Sequence, residues 1–444
     1  MGRGEWADRT FDCDLVHENM RIRAYSLNNQ GRLAREAITM RHLVILGAGT
    51  AGTMAANKLR ARLDVKEWRI TIVDQDNNHH YQPGYLFMPF GKYRPSEIVK
   101  PRAKFIPKGV ELTISEIDRV VPSENAVLLA DGRRLAYDQL VIATGTTPRP
   151  DQTPGLIGPE WRKSVHEFYT FEGSKALAAA LEKWEGGRLV IHITEMPIKC
   201  PVAPLEFAFL ADSFFKKKGM RDRVELVYVT PLDGAFTRPL AARTLGGMLA
   251  ERDIAIERVD EERQVLVSYD EREVPFDLLV TVPLNMGADY VARSGLGDEL
   301  NYVPVDKHTL LSTAWPNIFA LGDASDIPAS KAGSTAHFAV EVFAENFVHH
   351  IRGEAMPERF DGHANCFIES GGGKALLLDF NYDTEPLPGT FPLPGVGPFG
   401  LLRERRSNHW GKLMFKWVYL QLLLKGRPLP ISAHLSMAGK VQKG

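Results

Sequence analysis

From residue 41 onward, short continuous apolar runs alternate with stretches of helical period. Arg41–Leu46 (RHLVIL) and Trp68–Asp74 (WRITIVD) have the length and continuity of buried parallel strands, and residues 53–63 between them read as a helix. Further strands are expected at 137–148 (YDQLVIATGTTP), 188–193 (RLVIHI) and 317–325 (NIFALGDAS). Helices are expected at 205–215 and at 330–351, where Ala336, Val340, Phe343, Phe347 and Ile351 recur on one face. Three segments break the alternation. Residues 1–39 mix charges without an apolar period and lack the basic, apolar, small-residue order of a secretory signal, so they read as a disordered extension. Residues 386–400, rich in Pro and Gly with Leu, Phe and Val, read as an apolar loop. Residues 410–424 (WGKLMFKWVYLQLLL) are almost wholly apolar and aromatic, with Lys412 and Lys416 near their start. This segment is shorter than the roughly twenty residues that cross a bilayer, so it predicts a helix lying in the membrane interface. A core or dimer helix is the alternative.

Composition narrows the class. Of 444 residues, 44% are apolar and 25% charged, which excludes a mainly disordered chain and a multi-span membrane protein. Lys plus Arg (54) balance Asp plus Glu (55) at a formal charge of -1, so no nucleic-acid partner is expected. Three cysteines, Cys13, Cys200 and Cys366, are too few and scattered for a disulfide framework or a Cys-rich metal site. No metal is expected, and the compartment reads as reducing.

The first chemical signal follows the first strand. In Gly47-Ala48-Gly49-Thr50-Ala51-Gly52, Gly47 permits a tight turn, Gly49 lets backbone approach a pyrophosphate and Gly52 lets helix pack on strand. The helix start offers unpaired N–H groups to phosphate, and Asp74, twenty-two residues beyond Gly52, is placed to accept from a ribose hydroxyl.

Two later strand ends, Ala143-Thr144-Gly145 and Gly322-Asp323, resemble the ATG and GD motifs of the two-dinucleotide-fold flavoproteins. That family includes glutathione reductase, type II NADH dehydrogenase and sulfide:quinone oxidoreductase. The resemblance implies FAD, with Asp323 on its ribityl chain; taken alone, Asp323 is an ordinary strand-end residue. Ser330-Lys331-Ala332-Gly333 opens a helix whose N-terminus would stabilise negative charge on a reduced flavin, Lys331 being otherwise a plain solvated lysine. Where relatives using NADH or NADPH carry a second Gly-rich turn, residues 194–200 (TEMPIKC) have no glycine, which argues against a pyridine nucleotide there. No Cys pair occurs between Gly52 and Gly187, as disulfide reductases would need.

Cys200 instead occupies that turn, before Pro201 and Pro204, near a helix start that favours thiolate. Each of Cys200 and Cys366 alone is as readily a packed apolar cysteine. From Met40 to about Pro430 the chain resembles the sulfide:quinone oxidoreductases. Cys200 with Glu206 matches that family's catalytic cysteine and nearby acid, and Cys366 matches the partner cysteine. The additional cysteine many members carry after the ATG motif is missing from 165–170.

The resemblance implies an α/β fold with two Rossmann-like nucleotide-binding domains, as in glutathione reductase, and a C-terminal amphipathic membrane-associating segment. The expected units are an extension at 1–39, an FAD domain at 40–150 plus 305–380, a second Rossmann-like domain at 151–304 and a quinone- and membrane-facing segment at 381–444. The implied activity is oxidation of sulfide to sulfane sulfur or polysulfide by a Cys200–Cys366 disulfide, with Glu206 moving protons and electrons passing through FAD to quinone. Phe367, Lys412, Phe415 and Trp417 would face the quinone, with Lys412 as a proton donor. A peripheral position on the cytoplasmic face of a membrane and a homo-oligomer fit the same picture. The rival readings are a sulfide dehydrogenase subunit with a cytochrome acceptor, a type II NADH:quinone reductase and a flavin redox sensor without turnover.

Overall fold

The structure, a computed structural model, describes residues 40–258 and 274–441. Residues 1–39, with Cys13, lie outside them. The chain begins with β1 (Arg41–Leu46), α1 (Thr50–Arg60), β2 (Trp68–Asp74), β3 (Val110–Ile114) and β4 (Gln139–Ile142). It continues through β5 (Val165–His166), α2 (Phe171–Lys183), β6 (Gly187–Ile193), α3 (Ala203–Lys217), β7 (Val224–Thr230), α4 (Pro239–Ala250), β8 (Ile254–Arg258) and β9 (Leu278–Val282). It then returns through β10 (Ile318–Ala320) and α5 (Gly333–His350). The last part holds β11 (Ala364–Gly371), β12 (Lys374–Phe380), β13 (Gly389–Leu393), β14 (Gly397–Leu401) and α6 (Arg406–Val418).

Two five-stranded sheets, β10-β4-β1-β2-β3 and β5-β9-β6-β7-β8, are parallel throughout. Both faces of such sheets are covered, which is why Leu43–Leu46 and Leu189–Ile191 read as unbroken apolar runs and are fully buried. The fold is α/β with two Rossmann-like units. A third sheet, β11-β12-β14-β13, joins them from the side. Helix α3 runs between this sheet and the second one, and so is apolar nearly all round, with Leu205, Phe207, Ala208 and Phe209 fully buried. That position carries Glu206 into the middle of the molecule.

Three expectations are corrected. The first helix starts at Thr50, not residue 53, because Gly49 already serves as its N-cap. Residues 386–400 are not a loop: they form most of the β13–β14 hairpin, in which Pro392 lies opposite Pro398. Prolines that lack a ladder donor hide such a strand from a sequence reading. Residues 410–424 are not a uniform interfacial helix. Trp410, Met414 and Trp417 are exposed on one face of α6, but Tyr419, Leu420 and Leu423, in a π-helical continuation, and Leu424 just after it are buried in the core of the first unit.

Candidate active site

A single cavity of about 1160 Å³ runs from the Gly-rich turn, past the two cysteines, to α6. Its first part is a backbone cradle. Gly47 has φ +95°, and a Cβ there would come within 2.5 Å of the Ala143 carbonyl oxygen. A Cβ on Gly52 would lie 1.9 Å from the Gly47 carbonyl oxygen, so this position admits glycine alone. A Cβ on Gly49 would meet no atom within 4 Å, so its backbone faces the open cavity. Helix α1 has no side chain capping its N-terminus, which leaves its first N–H groups for a ligand. Thr50, Ala51, Asp74, Thr144, Gly145, Asp323, Lys331, Ala332 and Gly333 line the same space, whereas Gly52 acts behind it through packing. The open face at Gly49 and the uncapped helix suit a dinucleotide.

Residues outside the sequence motifs complete the cradle. Asp74 accepts from the Ala48 N–H at 2.7 Å and pairs with Arg102 at 3.0 Å, while Arg102 also donates to the Ala48 carbonyl. Thr50 Oγ1 bonds the Tyr419 hydroxyl at 2.7 Å, and that hydroxyl bonds His79 Nε2 at 2.9 Å. Burial and then Arg102 lower the His79 pKa to about 4, so His79 is a neutral link. Lys331 is not a solvated lysine. It is 9% exposed, donates to the Ser325 and Asp323 carbonyl oxygens at 3.0 and 3.2 Å and stands 3.7 Å from the centre of the Tyr302 ring. Burial raises the Asp323 pKa, opposed by Lys331 and Lys199.

Cys200 follows β6 on a turn held from both sides. Its N–H donates to the Lys331 carbonyl at 2.7 Å, and its own carbonyl accepts from Ala203 N–H and the Tyr169 hydroxyl at 2.9 and 3.1 Å. Its φ of +50° is a left-handed conformation that costs a non-glycine residue about 1–3 kcal/mol. Cys366, on β11, faces the same cavity, and both carry free thiols. The thiolate expected from the helix start is also corrected. Burial pushes the Cys200 thiol up to about 12, with Glu206 adding and Lys412 opposing, and pushes Cys366 up to about 11. Desolvation outweighs the helix terminus, and burial was not visible in the local sequence.

Beside the thiols, Lys412 Nζ donates to Glu206 Oε1 at 2.7 Å and to the Phe367 carbonyl at 2.8 Å. Glu206 Oε1 also accepts the Glu369 N–H at 2.8 Å, while its Oε2 is buried without a hydrogen-bond partner among the described residues. Burial pulls the Lys412 ammonium down, but Glu206 and Cys200 outweigh it and the net direction is up. For Glu206 burial is the largest influence and raises the pKa against Lys412. The short, doubly donated contact is that of an ammonium–carboxylate pair.

The pyridine nucleotide-disulphide oxidoreductase family matches residues 41–191. The chain is 24% identical over 397 residues to the mitochondrial sulfide:quinone oxidoreductase of Mus musculus, covering 86% of each. To the Dictyostelium discoideum enzyme of the same name it is 26% identical over 397 residues, covering 87% of this chain and 86% of that one. On these similarities the chain is an oxidoreductase enzyme that resembles the sulfide:quinone oxidoreductases. The crystal structure of the Aquifex aeolicus sulfide:quinone oxidoreductase shares its fold, with a TM-score of 0.71 at 21% identity over 87% of this chain and 92% of that one. A flavin is the cofactor type this oxidoreductase superfamily implies.

The oxidoreductase fold thus brings Cys200, Cys366, Glu206, Phe367, Lys412 and Phe415 to one cavity. Trp417 does not join them: it is 58% exposed on the outer face of α6, because its position on the helix turns it away from Lys412 and Phe415. Arg102, His79, Tyr169, Lys199 and Tyr419 line the cavity as well. They carry no motif, and only the tertiary fold places them. No helix among the described residues is long and apolar enough to cross a membrane.

Proposed function

We propose that the chain oxidises sulfide to sulfane sulfur and passes the two electrons through FAD to quinone at a membrane surface. What carries this reading is the presence of Cys200 and Cys366, the Lys412–Glu206 pair and the dinucleotide cradle on one cavity. Bound in the cradle, FAD would accept two electrons from sulfur chemistry and release them to quinone. Gly47, Gly49, Thr50, Ala51, Asp74, Thr144, Gly145 and Asp323 would hold it, with the α1 N-terminus at its phosphates. The start of α5, with Lys331, Ala332 and Gly333, would face its ring.

The two free thiols are the reduced form of a dithiol/disulfide cycle. With the Cys200–Cys366 disulfide formed, HS⁻ attacks one sulfur, the S–S bond breaks, and one cysteine becomes a persulfide while the other leaves as thiolate. A second nucleophile removes the sulfane sulfur. The remaining dithiol returns to disulfide by giving up two protons and two electrons. Lys412 stabilises the leaving thiolate, opposing the burial that raises both thiols. The unpartnered Oε2 of Glu206 accepts protons. Phe367, Lys412 and Phe415 form the quinone side of the cavity.

The exposed row Trp410, Met414 and Trp417 recurs at i, i+4 and i+7 on α6, and the tip of the β13–β14 hairpin exposes Leu393 and Val396. These apolar groups support attachment to a lipid surface, where quinone resides.

Anaerobic sulfide should bleach the flavin of the wild-type protein. Cys200→Ser and Cys366→Ser should each abolish sulfide-dependent quinone reduction with the flavin still bound, because groups acting as one unit lose nearly everything on the first deletion. Near-normal turnover in either variant would remove the disulfide mechanism.

A further inference from the structure

Resting on that reading, the reaction has an unbalanced proton. Oxidation of HS⁻ to sulfane sulfur releases one proton and two electrons, whereas quinone takes up two protons and two electrons to become quinol. Each turnover therefore draws one proton from solvent into a cavity whose acid–base groups are buried.

A second ion pair lies behind the first. Glu369 on β11 is fully buried, and its carboxylate meets His409 Nδ1 at 2.8 and 3.0 Å. His409 is 15% exposed and does not line the cavity. It precedes Lys412 by three residues on α6, so the two side chains are neighbours on one helix face. The pairs are joined by the Glu369 N–H, which donates to the oxygen of Glu206 that Lys412 also holds. Cys200 and Glu206 face this cluster from α3 and the turn before it, and Cys366 and Glu369 from β11. Lys92 and Tyr93 face it from the loop before Arg94, with Lys92 Nζ 3.8 Å from Glu369 and 36% exposed. Tyr81 and Tyr169 approach the Glu206 side. Two buried carboxylates thus share one inner cation, Lys412, and two groups that reach toward solvent, His409 and Lys92.

We propose that His409 and Glu369 form a proton path from solvent to Lys412, which passes the proton to quinone on the cavity side. His409 takes a proton from water and gives it to the Glu369 carboxylate. Lys412, having donated to the quinone oxygen, turns its neutral amine from Glu206 to Glu369 and regains the proton. Glu369 returns to carboxylate and the cycle closes without any change in the cluster's charge. His409 and Glu369 are positioning residues in this scheme, acting through Lys412.

The test uses the flavin-loaded full chain and His409→Asn, whose amide still donates to Glu369 but cannot relay a proton, with Glu369→Gln as a second variant. Sulfide bleaching of the flavin should stay within about twofold of wild type in His409→Asn. Reoxidation by a water-soluble quinone, started from dithionite-reduced protein so that it does not depend on sulfide, should slow by roughly 10–100-fold. The wild-type reoxidation rate should fall as pH rises and a donor is emptied, and in His409→Asn it should be low and flat. Added imidazole should restore the rate in His409→Ala but not in Glu369→Gln. Wild-type reoxidation rates in His409→Asn, or slow reoxidation with an unchanged pH profile and no imidazole effect, would overturn the path. Wild-type protein that sulfide fails to bleach would instead overturn the sulfide reading, while the dithionite arm still decides the path.

Discussion

Replacing Lys412 by Met tests whether the pair at the cavity wall is held as charged groups. Its partner Glu206 has a side chain only 1% exposed, and Lys412 itself is 13% exposed. Met fills most of the volume and removes the ammonium. Glu206 then keeps a single donor, the Glu369 N–H at 2.8 Å. Stranding one member of a buried pair costs about 3–5 kcal/mol. The cost must also depend on pH. Burial already raises the Glu206 pKa, and loss of Lys412 raises it further. A carboxyl whose folded pKa exceeds its unfolded one contributes stability below the unfolded value, and that contribution is lost as pH rises through the folded value. Each unit of that window is worth about 1.4 kcal/mol, so from about pH 5 to about pH 8 the deficit of Lys412→Met should grow by up to about 4 kcal/mol. The raised pKa of Lys412 keeps its own contribution constant over this range, below the unfolded lysine value. Urea midpoints at the two pH values, followed by tryptophan fluorescence and flavin release, measure the difference. The double variant Glu206→Leu/Lys412→Met should recover to within about 2 kcal/mol of wild type. A deficit equal at both pH values, or a double variant as unstable as Lys412→Met, would refute the charged-pair argument.

Gly49→Val should leave the apoprotein's stability within about 1 kcal/mol of wild type, since its Cβ meets open space, yet weaken flavin binding at least about tenfold by equilibrium dialysis. Trp410→Ser/Met414→Ser/Trp417→Ser removes three exposed side chains worth roughly 1.5–3 kcal/mol each in lipid; losing at least about 4.5 kcal/mol in total should cut partitioning onto vesicles by more than roughly a thousandfold while the protein stays folded and yellow. NADH and NADPH should not reduce the flavin at useful rates, because residues 194–200 offer no glycine turn for a pyrophosphate, and rapid bleaching by NADH would contradict this.

What could be read from the sequence was local in the chain. The β1–turn–α1–β2 unit announces itself because its strand, three glycines and terminal acid lie within one short stretch, each glycine having a steric reason there. The cysteines, Glu206 and Lys412 were found through family motifs, and the structure sets them around one cavity. The ionisation of Cys200 departs from its expected thiolate tendency, because burial, which the helix start alone does not reveal, pushes its thiol up to about 12. Arg102, Tyr419, Glu369 and His409 had no sequence signal, since each acts through a partner that only folding makes adjacent. The C-terminal segment divided for a similar reason. An apolar run gives no indication of which residues find a core, and here Tyr419–Leu424 do while Trp410 and Trp417 do not.

The hydrogen bond between Thr50 and the Tyr419 hydroxyl spans 369 residues and fixes an order of events during synthesis. On a ribosome the Gly-rich turn emerges early, yet the first sheet lacks its edge strand until residues 318–320 appear. Asp323 and Lys331 arrive just after it, and the Tyr419 side chain that closes on the turn arrives last, almost at the end of the chain. The cradle is therefore completed only by residues that follow almost the whole of both nucleotide-binding units in the chain. A chain cut short before Tyr419 would lack the side chain that bonds Thr50 and would leave the part of the first core that Leu420, Leu423 and Leu424 cover open to water.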